Sequence, residues 1–282
     1  MSNPFRYFNS SPEVIRLVVM MYVRYPLSLR NVEDLLAERG IDISHETVRF
    51  WWNRFGPMFA AEIRKRRLVH MRGYPQWRWH LDEVFVKVNG KLCYLWRAVD
   101  HEGEVLEAVV TATRDKAAAL KLLKRIMKKY GAPRSIVTDG LRAYSAAMND
   151  IGVAAERHEV GGRLNNRAEN SHQPFRRRER AMQRFRRPKT LQKFSSVHAQ
   201  VHNQFNQERH LVTRQVYKQR RSAALTEFVA TRDFLPRQGA KADAASAGLR
   251  APNRGGCEGF ARGARNAERR RPSRAPRTSP LP

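Results

Sequence analysis

WRWHLDEVFVKVNGKLCYLWRAVD, residues 77–100, is rich in β-branched and aromatic side chains and is split by Asn89-Gly90. That dipeptide suits a two-residue hairpin turn, so the stretch predicts two paired strands. One residue does not belong in such a strand. Asp82 lies in an otherwise apolar run, where a carboxylate without a partner is costly. A functional role accounts for it. Glu83 follows, and strand alternation sends it to the opposite face.

Downstream, the turn Asp100-His101-Glu102-Gly103 leads to a third β-rich run, EVLEAVVTAT. A helix over about 115–130 offers Ala118, Leu122, Leu123, Ile126 and Met127 for packing. Pro133 breaks the chain, and SIVT makes a short strand ending at Asp139. LRAYSAAMNDI reads as helix and VAAERHEV as a short strand. Asn165 or Asn166 is suited to cap the helix that carries Glu169. Three strands, helix, strand, helix, strand, helix is the order of a ribonuclease-H-like α/β domain. After Pro188, Leu191, Phe194, His198, Val201 and Phe205 recur at helical spacing and predict a helix packed on that domain.

Asp82, Asp139 and Glu169 thus sit in a strand, at a strand end and on a helix. Adjacent strands bring the two aspartates together, and the helix closes the site from the side. Phosphodiester cleavage with two Mg²⁺ (or Mn²⁺) needs hard oxygen ligands holding the ions about 3.5–4 Å apart. Each acid also has a plain reading. Asp139 before Gly140 suits a turn, and Glu169 suits a helix surface paired with Arg176. The three together favour the metal site. Asp100 reads as structural, and Asp150, Glu156 and Glu159 lack a comparable setting. His198 and His202 share a helix face but lack the glutamate of a metalloprotease motif, so packing or DNA contact is expected of them.

The run FRRRERAMQRFRR follows Glu169 and brings Arg176, Arg177, Arg178, Arg180, Arg184, Arg186 and Arg187, with Phe175 and Phe185 between them. A phosphate backbone is its natural partner. The whole chain agrees: 54 basic and 26 acidic residues give a net charge of +28, which a polyanion would neutralise.

Residues 11–56 predict three helices. Ser11-Pro12 caps and opens the first, Ser28 caps the second, Gly40 begins a turn and Ser44 caps the third. This is the helix-turn-helix pattern. On the third helix, His45, Arg49, Asn53 and Arg54 lie off the apolar face of Val48, Trp51, Trp52 and Phe55. There they could reach bases or phosphates.

With only Cys93 and Cys257, a disulfide framework and a cysteine zinc site are excluded. The longest apolar stretch, VIRLVVMMYV, is short and holds Arg16, so no membrane span is expected. The N-terminus does not resemble a signal peptide. A cytoplasmic, nucleoid-associated protein is expected. Residues 236–282 contain no Val, Ile, Met, Tyr or Trp, and hold 11 basic against 3 acidic residues, a net +8. Such a segment cannot bury enough surface to offset its ordering entropy and is expected to be disordered.

HLDEVFVKVNGKLCYLWRAVD, TDGLRAY and NNRAENSH followed by basic residues resemble the DDE transposases of bacterial insertion sequences, most closely the insertion sequence six family. The resemblance covers about residues 1–230. It implies a ribonuclease-H-like core, divalent-metal-dependent strand transfer, recognition of terminal inverted repeats, an acidic triad of Asp82, Asp139 and Glu169, and a basic residue at Arg176. It also implies cointegrate formation and action as a homodimer or larger synaptic complex. The spacer from Asp139 to Glu169 is somewhat shorter than in many members. A non-catalytic DNA-binding repressor is the alternative from another class, and a structure-specific nuclease a more distant one. The expected organisation is a helix-turn-helix domain over 1–60, a basic linker over 61–76 and a catalytic domain over 77–187. C-terminal helices follow over 188–235, then a tail over 236–282.

Overall fold

The computed structural model describes residues 3–71, 78–182, 185–206 and 212–229. The expected tail over 236–282 lies outside them.

The hairpin forms as its turn residues dictate. Asn89 and Gly90 both take positive φ, 49° and 81°, the twist that lets β1 (Arg78–Val88) and β2 (Lys91–Val99) pair from Val88↔Lys91 to His80↔Val99. The next turn is held by Asp100, whose Oδ1 accepts from the backbone N–H of Glu102 and Glu104, both at 2.9 Å. Asp100 is structural, as its turn position implied. β3 (Val105–Thr111) then pairs antiparallel with β2. Asp115 caps α4 (Lys116–Tyr130), accepting from Ala118 N–H at 2.9 Å, and the helix crosses the sheet to β4 (Ser135–Thr138). β4 lies parallel to β1, and β5 (His158–Val160) parallel to β4, after α5 (Arg142–Asp150). The order β3-β2-β1-β4-β5 makes a five-stranded mixed sheet.

Strand alternation divides the core. Trp79, Leu81, Trp96 and Ala98 are buried on one face with Leu122, Leu123 and Ile126 of α4 and Tyr144 of α5. Val86, Val88, Cys93 and Leu95 are buried on the other. There they join α6 (Gly162–Ala181), α7 (Pro188–Phe205), α8 (Arg214–Val229) and the N-terminal helices α1 (Pro12–Arg24), α2 (Leu29–Ala37) and α3 (His45–Met71) in one continuous cluster. The N-terminal helices therefore share a core with the sheet, and position 60 marks no break in packing.

The expected helix starts hold. Ser11 Oγ accepts from Val14 N–H, and Ser28 forms a capping box with Asn31. α2 closes on Gly40 at φ 70°, with Gly40 N–H bonded to Ala37 O and Ile41 N–H to Leu36 O, both 2.9 Å. This is the helix-ending pattern that favours glycine.

Two expectations need correcting. Residues 61–71, read as linker, are the last three turns of α3, which passes through Pro57 without stopping. Proline leaves the carbonyl four residues back without its helical partner. Here that carbonyl is Asn53 O, and Lys193 Nζ of α7 donates to it at 2.8 Å. The second correction is at α6. It starts at Gly162 without a side-chain cap, and Asn165, expected as a cap, is fully buried inside the helix. β5 leads straight into α6 through Gly161, whose N–H bonds to Thr138 O, so the helix begins before either asparagine can cap it.

Candidate active site

β1 and β4 set the site. Their last paired positions are His80↔Val137. Each chain then runs two residues further, to Asp82 and to Asp139, so the two carboxylates emerge side by side. Parallel strands open a crevice at their carboxyl ends. One oxygen each of Asp82, Asp139 and Glu83 lies within 4.8 Å of the others. Glu83 was expected on the opposite face, and its partners are indeed there. Its carboxylate accepts from Tyr144 Oη at 2.8 Å and from Arg114 Nε at 2.6 Å. Its longer side chain still reaches the cluster.

The electrostatics follow from crowding. Burial, then the neighbouring Asp139 charge, pushes Asp82 up from 3.8 to about 6. Burial also raises Glu83, against the hydrogen bonds from Tyr144 and Arg114. Arg114 adds a cation 3.8 Å from Asp139. Hard oxygen donors this close suit a divalent cation, which would relieve the charge that Asp82 resists carrying.

α6 packs over this corner. Asn165 Nδ2 donates to Leu81 O at 2.9 Å, and His172 Nε2 lies 3.2 Å from Asp82 Oδ2. The second contact is out of line for a hydrogen bond, and both His172 ring nitrogens lack hydrogen-bond partners. Burial holds His172 well below its ordinary value, so the ring is neutral. Glu169 is one turn after Asn165 and one before His172, hence on the same side of α6. Glu169 is exposed and is not among the clustered carboxylates. Arg97, the cross-strand partner of Asp82, is buried and donates to Ser171 O at 2.5 Å, tying α6 to β2.

The residues expected at nucleic acid are scattered. His45 Nδ1 contacts Glu33 Oε2 at 2.8 Å, Arg49 pairs with Glu46 at 2.7 Å, and Asn53 Oδ1 accepts from Lys193 Nζ at 3.0 Å. Arg54 lies over the Phe8 and Phe55 rings. Arg49, Asn53 and Arg54 are exposed. Arg176 donates to Phe85 O at 2.7 Å and to Glu179 at 2.6 Å, and lies over the Phe85 ring. Arg177 and Arg180 are exposed on α6. Arg178 breaks the expected basic face: it is fully buried over Tyr22 and Phe194 and donates to Leu27 O. Arg184 lies outside the described residues. Phe175 and Phe185 stack in the core, 6.3 Å apart, and His198 is buried against Phe175 and Phe194. No helix among the described residues is long and apolar enough to cross a membrane.

Sequence reading missed Glu83, Arg114 and His172. Alternation gives a side chain's face but not its reach, and nothing near Arg114 sets it apart from other basic loop residues.

A family model described as a DDE domain matches residues 76–208. The transposase for insertion sequence-like element IS431mec of Staphylococcus aureus is 34% identical over 174 residues, 60% of this chain and 75% of the relative. The transposase for insertion sequence element IS257 in transposon Tn4003, also from Staphylococcus aureus, is 33% identical over 174 residues, again 60% and 75%. An uncharacterised protein of Methanocaldococcus jannaschii is 30% identical over 194 residues, 68% of this chain and 84% of the relative. A simian T-cell lymphotropic virus intasome in complex with PP2A regulatory subunit B56 gamma is matched at 16% identity and a TM-score of 0.33, over 46% of this chain and 48% of that one, too slight a likeness to argue from.

Proposed function

Because the chain belongs to the DDE transposases of the insertion sequence six family, we propose that it binds the terminal inverted repeats of its element, cuts a DNA strand there and joins the freed end to target DNA. The observation that carries this reading is the pair Asp82, within β1 just past its parallel pairing with β4, and Asp139, just past the end of β4, within 4.8 Å of each other and of Glu83. The strand order β3-β2-β1-β4-β5, antiparallel then parallel, is that of a ribonuclease-H-like core, and it supports the same assignment.

Asp82, Asp139 and Glu169 form the catalytic triad. They would hold two divalent cations, Mg²⁺ or Mn²⁺, which would supply charge neutralisation at the phosphate and a sharper nucleophile. Glu83, already engaged by Tyr144 and Arg114, fixes Arg114 at the rim, where its cation faces incoming phosphate. His172 and Asn165 seat α6 on β1 and so set the distance of Glu169 from Asp82. Hydrolysis at the element end exposes a 3′-hydroxyl; that hydroxyl attacks a phosphodiester of the target, forming a new P–O bond as the target strand's 3′-oxygen leaves, and replication across the joined strands then gives a cointegrate. His45, Arg49, Asn53 and Arg54 of the N-terminal helix-turn-helix read the ends. Arg176, Arg177 and Arg180 hold the backbone near the triad. The protein acts at the nucleoid as a dimer or larger synaptic complex.

The test is direct. Purified protein is incubated with DNA carrying the element's ends, a target plasmid and Mg²⁺, and the junctions are sequenced. End-to-target junctions are expected. Cut ends without joining would indicate a nuclease, and binding without cutting a repressor.

A further inference from the structure

The sheet face beside the carboxylates is left uncovered. On β1 and β2, Trp79, Leu81, Trp96 and Ala98 are buried under α4 and α5. Further along the same face the helices no longer reach. There Phe85 is 58% and Leu92 52% exposed, while Tyr94 stands across from Phe85 in the ladder. With Glu83 and Arg114 they line a cleft of about 410 Å³. Its far wall is aromatic and aliphatic, and its near wall is a carboxylate of the acidic cluster. Arg114 offsets the charge of Glu83, which also accepts from the Tyr144 hydroxyl, so the cation remains the group that meets an incoming anion in the cleft. Arg176 braces the aromatic wall, its guanidinium 5.3 Å from the Phe85 ring centroid and bonded to Phe85 O.

We propose that this cleft takes one unpaired nucleobase of the reacting strand, stacked on Phe85 and Tyr94, with the phosphate of the same nucleotide on Arg114. This rests on the function proposed above and adds a substrate subsite to it. Three observations favour a base. The exposed Phe85 ring, with the half-buried Tyr94 beside it, offers a π-face, which every base can use. The Arg114 cation lines the same cleft, bonded to Glu83 and 3.8 Å from Asp139, so a backbone phosphate at the carboxylates would meet it. Phe85 lies two residues beyond Glu83 along the strand, about 7 Å, and Arg114 is bonded to Glu83, so the ring and the cation are close enough to hold the base and phosphate of one nucleotide. A base still paired inside a duplex cannot enter a concave site, so the strand must be locally opened there.

The test compares wild type, Phe85→Ala and Phe85→Trp on element-end duplexes. One set is fully paired, and a second carries a single mismatch at successive positions around the cut. Phe85→Ala should cut paired DNA about tenfold or more slowly, because stacking no longer offsets unpairing. A mismatch at one position should restore most of that rate, and Phe85→Trp should retain activity. Binding to the ends, read by anisotropy, should stay within about twofold, since the phosphate contacts remain. Wild-type cutting with Phe85→Ala equally fast, or equally slowed on every mismatch, overturns the subsite alone. A wild-type chain that cuts neither substrate overturns the proposed function and the subsite with it.

Discussion

Asp82 carries a charge that the fold resists. As an acid raised from 3.8 to about 6, it is better tolerated protonated than ionised. The folded state therefore gains from this group below about pH 4 and loses that gain as pH rises through about 6. In EDTA at pH 7.5, Asp82→Asn should raise the melting temperature, and the increase should disappear near pH 4. Thermal scans across that range check it. Mg²⁺ or Mn²⁺ should stabilise the wild type more at pH 7.5 than at pH 5, because a protonated carboxyl is a poor ligand. Replacing Asp82, Asp139 or Glu169 by Ala should abolish strand transfer while leaving end binding largely intact, as measured by joining and mobility-shift assays; transfer by any one of them would remove that residue from the triad. Asp82 was legible because it is an acid where the strand pattern asks for an apolar residue; Asp139, which also suits a turn before Gly140, stood out only beside the other acids. Glu83 was not, since its partners Tyr144 and Arg114 are distant in sequence.

Among the elements, α3 shows how a long helix survives two residues that weaken helices. Pro57 costs a backbone bond, and Lys193 replaces it from α7. Gly56 has a steric reason: a Cβ there would lie 2.7 Å from the Trp52 ring. That ring is wedged between Tyr22 and Phe194 and has little room to move. Gly56→Ala should therefore destabilise the protein by about 1–3 kcal/mol despite alanine's better helix propensity, a result denaturant titration would check. The caps at Ser11 and Ser28 and the hairpin at Asn89-Gly90 were readable because their signals are local. The length of α3 was not, since the residue that repairs it is far along the chain. At the exposed start of α3, Arg49→Ala should weaken binding to the element ends by about 1–3 kcal/mol if the side chain meets a base edge. Equal losses on random DNA would mark a phosphate contact.

Taken whole, the molecule does not divide where its sequence suggests. Trp52 meets Phe194, and Phe59 meets Phe228. A fragment of residues 1–60 would expose those rings, and circular dichroism should find it poorly folded in isolation. Deleting 236–282 should leave the melting temperature nearly unchanged and lower only salt-sensitive, non-specific DNA affinity, because a segment with a +8 charge and no Val, Ile, Met, Tyr or Trp has little to anchor it.

The buried Arg178 reaches from the helix that carries Glu169 to the carbonyl of Leu27, in the turn between α1 and α2. Among the described residues its charge has no acidic partner and rests on that carbonyl and two aromatic faces. Anyone building chimaeras, with the amino-terminal helices of one relative on the catalytic half of another to redirect it to new ends, inherits this joint. A graft that keeps an aromatic at position 22 and the same turn at 27 should assemble; one that does not leaves a guanidinium stranded in oil. Exchange of the amino-terminal helices is constrained by one hidden cation beneath them.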